Sequence, residues 1–302
     1  MNRGYLFAIA AYTMWGLLPI YWQRLREIPA TQVVAHRILW SCLFLIPLVM
    51  IGGYWPVIRQ ALKDRKVIVR QSIAAILVCA NWLGFVWAVT HDRIVESSLG
   101  YFINPLLSVL LAVAILGERL RWKQWMSIGI AALGVVWLTV QNGTLPWVVL
   151  MLASTFCLYA FVKKTTSLHP IVSLSIETWA LLIPALIFLG MEHSAGRGGL
   201  KLDGGLTDWM LVGAGVATTI PLLCFAAGAQ RIPLSVVGLL QYIGPTIQFT
   251  LGTLVYNEPF NRNTLIGFCC VWIALAIYAS DSVASLLHSR AIRSGPKPKP
   301  TP

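Results

Sequence analysis

The stretch RIVESSLGYFINPLLSVLLAVAILGE, residues 93–118, returns later in the chain as RIPLSVVGLLQYIGPTIQFTLGTLVYNE, residues 231–258. In both copies an Arg-Ile pair is followed at one spacing by a serine and a glycine, Ser97 and Gly100 in the first, Ser235 and Gly238 in the second. A proline then precedes a glutamate by thirteen positions, Pro105 before Glu118 and Pro245 before Glu258. The second copy is two residues longer between these blocks, since Gly100 to Pro105 is five positions and Gly238 to Pro245 is seven. Earlier matches are weaker: Pro29 precedes Arg37 by eight and Pro170 precedes Glu177 by seven, with Pro47 and Pro184 near the far ends of the same segments. Between the copies lies a turn-forming seam, Gln141-Asn142-Gly143-Thr144-Leu145-Pro146.

Both copies run through apolar stretches, and the rest of the chain is built the same way. Ten windows, 4–22, 33–53, 71–90, 97–117, 124–140, 145–162, 170–190, 209–229, 233–256 and 263–280, take up 200 of the 302 residues. A helix rising about 1.5 Å per residue needs about 20 residues to cross a hydrocarbon core. Most windows have that length. With 57% hydrophobic and only 11% charged residues, against about a quarter charged in a soluble domain, the chain reads as an all-α polytopic membrane protein with ten transmembrane helices. The divisions are a first repeat at 4–140, a second at 145–280 and a basic tail at 281–302. Five spans per repeat is an odd number, so the second copy enters the membrane upside down. Two inverted five-helix repeats are the arrangement that secondary transporters use to open one central site to each side in turn.

A net charge of +12 suggests a nucleic-acid partner until the basic residues are placed. With the amino terminus inside, sixteen fall on inside segments, Lys163 and Lys164 among them, and six on outside segments. That bias predicts both termini in the cytoplasm. Spread over short loops and a tail, it is no groove-tracking patch, and nucleic acid is excluded as a partner. Arg3 and the apolar run after it resemble a secretory signal, but no small-x-small cleavage site follows and the segment reads as an uncleaved first span. The six cysteines fall in spans without ligand spacing, and no metal or cofactor is expected. Hydrolase and metalloprotease motifs are missing, which argues against an enzyme.

Two charges lie inside the windows, Arg37 and Glu177. Each costs roughly 3 kcal/mol at the centre of a bilayer by insertion scales, so each is a candidate for a task. Arg37, beside His36 and near the outer end of its span, either binds substrate or snorkels to the interface. Glu177 is the candidate for a cationic substrate group or a coupling proton, the alternative being a partnered structural carboxylate. Pro105 and Pro245 each remove a backbone donor and free the carbonyl four residues earlier, at Tyr101 and Gln241. In lipid such breaks face protein or a wet cavity. The neighbouring Tyr101, Asn104, Gln241 and Tyr242 are therefore expected to line the substrate site, unless local repacking repairs the kink. The deep aromatics Tyr12, Trp15, Trp82, Tyr159 and Trp179 either stack on a flat substrate or simply pack, and Asn81 adds a deep amide. Trp22, Trp55, Trp122, Trp125, Trp147 and Trp209 read as interfacial anchors. Ala80, Gly84 and Ala88 form a small-residue ladder that permits close helix approach. Glu118 and Glu258 read as pins at their hairpins, accepting from exposed amides at the start of the next helix. The glycine-rich loop from Met191 to Thr207 reads as flexible and external, and the tail as disordered and able to touch anionic lipid.

Gly100, Pro105, Gly117-Glu118-Arg119-Leu120 and Trp125 leading into Gly129 and Gly134, echoed by Glu258 and Gly267, resemble the EamA repeat of the drug/metabolite transporter superfamily. The opening Trp15-Gly16, Pro19-Ile20-Tyr21-Trp22, His36-Arg37 and Trp40-Ser41 resemble its RarD subfamily, the chloramphenicol-sensitive proteins or chloramphenicol-resistance permeases. The resemblance covers residues 4–280; the second copy departs from it with Asn257-Glu258-Pro259 in place of Gly-Glu-Arg and no tryptophan after it. It implies a central cavity lined by helices one to four and six to nine, with five and ten peripheral. It implies a permease of the bacterial inner membrane for a small metabolite, amino-acid-like or drug-like, with membrane lipid around it and a proton as candidate coupling ion. The competing readings are a passive channel and a membrane scaffold without transport.

Overall fold

The computed structural model describes residues 3–25, 27–90, 94–142, 147–201 and 203–255, and most of 262–281. Among them there is no β-strand. The helices are α1 Arg3–Gln23, α2 Ala30–Ile51, α3 Trp55–Ala61, α4 Arg65–Thr90, α5 Ile94–Ala114, α6 Trp122–Asn142, α7 Trp147–Thr165, α8 Pro170–Ser194, α9 Leu206–Arg231, α10 Leu234–Leu240 and α11 Ile243–Leu254. A further apolar helix, α12, covers Leu265–Tyr278. Among the described residues, six helices are long and apolar enough to cross a membrane: those at Arg3–Trp22, Ala30–Ile51, Arg65–Phe85, Trp122–Gln141, Pro170–Ser194 and Leu206–Arg231.

Burial runs opposite to that of a soluble protein. Ile51, Ile76, Leu133 and Ile183 point outward, while Gln71, Asn81, Asn104, Lys163, Ser173 and Glu177 are buried. Along α2 one face, Val34, Ala35, Ile38, Cys42, Leu45 and Val49, is buried, and Leu43, Ile46 and Met50 on the other are exposed. Apolar on both faces, such a helix suits hydrocarbon on one side and protein on the other. Where lipid is as apolar as leucine, helices associate by close approach at small residues. A Cβ on Gly215 of α9 would stand 2.3 Å from the Trp40 carbonyl carbon of α2, and one on Gly228 would stand 3.0 Å from the Ala8 amide of α1. Ser41 donates to the Gly215 carbonyl at 3.1 Å across the first of these contacts. Gly84 lets Met151 of α7 lie against α4. The side chain of Ala88, the last step of that ladder, is outside the described residues.

The chain divides into two compact units that cut across the repeats. One comprises Met1–Glu118 and Thr144–Pro259, the other Arg119–Gly143 and Phe260–Pro302. The second unit holds α6 and α12. In it a Cβ on Gly134 would lie 2.8 Å from the Cys270 Cβ, Asn263 donates to Gln141 at 2.9 Å, and Arg121 pairs with Asp281 at 2.8 Å.

The first unit holds the other helices and the candidate site. In it the ninth window is two helices, α10 and α11, separated at Gln241-Tyr242. Pro245 supplies no N–H to the Gln241 carbonyl, and the Gly244 amide takes that acceptor instead at 3.2 Å, tightening the turn. The break falls inside the two-residue excess of the second copy. In the first copy α5 passes through position 105 without interruption, so the two prolines do not act alike.

The glutamate that ends the first copy also differs from the hairpin-pin reading. Gly117, at φ +65°, closes the helix in the left-handed conformation that glycine adopts most readily. Glu118 meets the start of α10. The Leu234 amide donates to it at 2.7 Å, the Ser235 amide at 3.3 Å and the Ser235 hydroxyl at 2.6 Å. It joins the first copy to the second, at the serine that the repeat itself singled out. Glu258 and the tail after Asp281 lie outside the described residues, as does most of the seam.

The loop after α8 is tied down rather than loose. Gln32 donates to the Arg197 carbonyl at 2.7 Å and accepts from the Gly199 amide at 2.7 Å. Arg197 closes on Glu192 at 2.9 Å, which raises the guanidinium pKa further, and Asp208 accepts from the Lys201 amide at 3.0 Å.

Candidate functional site

Arg37 is the eighth residue of α2. Its Nε donates to the Thr218 hydroxyl of α9 at 2.8 Å, and its guanidinium lies 4.8 Å from the Trp22 ring of α1 and 4.5 Å from the Trp82 ring of α4. Tyr101 of α5, 5.8 Å from Phe85 ring to ring, is close enough to interact with it electrostatically. Four helices thus converge on one cation, which remains partly exposed. Among the described residues no carboxylate pairs with it. The neighbouring His36 is buried, with Nδ1 lacking a partner.

Seven and ten residues before Trp22 on the same helix, hence about 10 and 15 Å along its axis, lie Trp15 and Tyr12. They meet an aromatic cluster. Trp15 is 5.5 Å from Phe225 and 5.7 Å from Phe156, Tyr12 is 6.1 Å from Phe225, and Tyr159 stacks on Phe225 at 6.0 Å. Phe156 and Phe225 were not among the sequence candidates. A lone phenylalanine in an apolar window carries no signal of its own, although Phe156, Tyr159 and Lys163 share one face of α7 by their spacing. Among the described residues several buried polar atoms lack partners, including the Tyr12 hydroxyl, both polar atoms of Asn104 and the Thr219 hydroxyl. Each unsatisfied group costs about 1–3 kcal/mol in an apolar interior, and water or a bound solute is what removes that cost.

The third group changes the reading of Glu177. Lys163, expected in a loop, lies in α7, which continues to Thr165, and its side chain is 0% exposed. It pairs with Glu177, itself 1% exposed, and donates to the Ser173 hydroxyl at 2.9 Å. The Tyr159 hydroxyl donates to the second Glu177 oxygen at 3.3 Å, Ser173 reaches Gln71 at 2.8 Å, and Gln71 donates to Thr166 at 3.3 Å. Glu177 is therefore a partnered carboxylate in a satisfied network. Hydropathy ended the seventh segment's predecessor at residue 162 and could not show that the next side chain turns inward; the i, i+4 relation of Tyr159 to Lys163 was the available sign.

The remaining candidates are spread out. Asn81 donates to the Leu152 carbonyl at 2.9 Å and the Thr155 hydroxyl at 3.1 Å, so its amide ties α4 to α7. Trp179 packs 6.0 Å from Trp55 and against the cluster of Val49, Ile58, Val172 and Ile176, under the short helix α3 that the windows had missed. Gln241 and Tyr242 are buried in the turn between α10 and α11.

This geometry can be set beside known proteins. The model of the EamA-like transporter family matches residues 2–140 and again 145–280. An uncharacterized transporter of Bacillus subtilis, YojE, is 40% identical over 93% of this chain and 95% of its own length. Protein RarD of Salmonella typhimurium is 38% identical over 93% and 96%. The chloramphenicol-sensitive protein RarD of Pseudomonas aeruginosa is 29% identical over 97% and 98%. A solved crystal structure superposes with a TM-score of 0.69 over 91% of this chain and 97% of that one, at 17% identity, a likeness of fold alone. With nearly its whole length accounted for in two matched segments and by relatives named RarD, the chain belongs to the EamA-like transporter family and to its RarD group.

Proposed function

We propose that this protein is a secondary transporter that carries a small amphipathic organic molecule across the bacterial inner membrane by alternating access. Ten spans form two five-helix repeats, 4–140 and 145–280, inserted in opposite orientations, with both termini in the cytoplasm. The observation that carries this reading is a series of polar and aromatic groups within the first unit, in two sets about 10 Å apart along α1. It begins at Arg37 with Trp22, Trp82 and Tyr101, continues through Tyr12, Trp15, Phe156, Phe225 and Tyr159, and ends at Glu177 and Lys163. Within it the Tyr12 hydroxyl has no partner among the described residues, and a passing solute is one partner that would satisfy it.

Within this reading Arg37 faces the outer side and the Lys163–Glu177 network the cytoplasmic side. Glu177, already neutralised, is a lock holding α7 to α8 rather than an acceptor for a cationic substrate group. Any proton coupling at Glu177 acts by freeing Lys163.

The test is exchange by purified protein in liposomes. Vesicles preloaded with a panel of amino acids and small aromatic metabolites are given trace labelled compound outside. Saturable counterflow is expected for a member of the panel. Linear ion currents without counterflow indicate a channel, and neither behaviour in a protein that still unfolds cooperatively indicates a scaffold; either overturns the proposal.

A further inference from the structure

We propose that Arg37 is an anion-binding site, and that the transported molecule carries a carboxylate or comparable single negative charge on an aromatic or similarly apolar body. The proposal rests on the transporter reading above and specifies the substrate class of its site.

The inference comes from three charges in the first unit, Lys163 and Glu177, which are buried, and Arg37, which is partly exposed. Lys163 and Glu177 cancel each other in contact. Among the described residues no carboxylate cancels Arg37. Its Nε is spent on Thr218, and among the described residues its two terminal amino groups have no hydrogen-bond acceptor. Those amino groups form the planar fork that matches a carboxylate with two parallel bonds. The nearest acid on the same helix as Thr218 is Asp208, ten residues away, or about 15 Å along α9. Its carboxylate is already held by the Lys201 and Gly204 amides.

The indoles of Trp22 and Trp82 stabilise the cation through their ring faces without neutralising it. An amine brought to this place meets like charge at close range, whereas a carboxylate neutralises a cation that no carboxylate among the described residues pairs with. The same two rings, and Trp15 and Phe225 about 10 Å deeper along α1, offer a stacking surface for the apolar part. Arginine rather than lysine suits this role, because the flat guanidinium lies on an aromatic ring while its edge stays available.

The experiment uses full-length protein in nanodiscs of zwitterionic phosphatidylcholine and three probes with one skeleton: 3-phenylpropionate, 3-phenylpropylamine and 3-phenylpropanol. Thermal unfolding and tryptophan fluorescence are read for the native protein, Arg37→Gln and Arg37→Lys. The acid is expected to raise the unfolding temperature and change tryptophan emission, with the amine and the alcohol at least about tenfold weaker, the scale of a charge-assisted bond. Arg37→Gln is expected to lose this preference. Arg37→Lys, which retains a charge but not the fork, is expected to prefer the acid with reduced affinity, and it decides the matter if the glutamine variant does not fold. Equal or better binding of the amine, unchanged acid binding in Arg37→Gln, or no response to any of the three overturns the proposal. Counterflow of the amine or the alcohol without the acid sinks this inference and leaves the transporter reading standing, while absence of all counterflow sinks the latter.

Discussion

The two charged places inside the first unit are held in opposite ways. Lys163 and Glu177 are sealed from solvent and satisfied by each other, by Ser173 and by Tyr159. Arg37 has one hydrogen bond, two aromatic faces and no counter-ion among the described residues. A buried ion pair contributes little net stability because desolvation offsets attraction, but breaking one leaves an uncompensated charge. An unpaired cation among indoles has no such partner to strand. The first place is therefore built to stay closed, and the second to receive something.

The largest expected effect follows from that difference. Lys163→Ala strands Glu177 and should destabilise the protein by about 3–5 kcal/mol, whereas Lys163→Met combined with Glu177→Leu should recover most of the loss. Thermal unfolding of both in the same detergent checks this. A double variant as unstable as the single one would show that the pair is not the unit that matters.

Glu118 comes next. It accepts three hydrogen bonds from Leu234 and Ser235, and Glu118→Ala should cost about 1–3 kcal/mol by leaving the amides at the start of α10 unsatisfied. Hydrogen exchange should rise in α10 and leave α2, with Arg37, unchanged.

These predictions also mark what the sequence could and could not disclose. The lengths of α1, α2, α8 and α9 were legible because a bilayer requires about 20 apolar residues and sequence counts them directly. Arg37 and Glu177 stood out because charge in hydrocarbon is costly. Lys163 was hidden because a lysine at the end of an apolar run reads as a loop residue, and only tertiary packing turns it inward. The break at Gln241-Tyr242 was half visible: Pro245 pointed to it, but Pro105 made the same prediction for a helix that runs on. The partners of Trp179 and Asn81, Trp55 and the Leu152 carbonyl, were not legible, since one chain without its neighbours does not say which side of a helix meets which partner. The seven-residue α3 was too short to register against ten long windows.

A smaller effect is set by pH at the start of α8, the helix that presents Glu177. His169 Nδ1 accepts from the Ile171 amide at 3.4 Å, Nε2 lies 3.2 Å from the Tyr54 hydroxyl, and burial first, then Arg231, lowers its pKa. The folded protein thus binds this proton less readily than the unfolded chain. Stability from His169 is present above the ordinary histidine pKa and is lost as pH falls below it. Loss of the cap should cost about 1 kcal/mol, and His169→Asn should flatten unfolding temperature between pH 7 and 5. A slope unchanged by that substitution contradicts the assignment.

The smallest effect on stability should come from the other side of the comparison. Arg37→Gln gives up one hydrogen bond and two ring contacts but also removes an uncompensated charge, so stability should change by no more than about 1 kcal/mol. A loss as large as that of Lys163→Ala would mean that Arg37 has a structural partner, and the contrast between the two places would collapse.

The account's central claim is tested most directly by placing single cysteines at Tyr101, Tyr12, Phe156 and Phe225 in a cysteine-free background and probing sealed vesicles of known orientation with a membrane-impermeant thiol reagent. Alternating access predicts labelling of these positions from either side, with substrate protecting them. Cysteines that react from neither side, in protein that is folded and inserted, would mean that the track from Arg37 to Lys163 is packed solid and carries nothing.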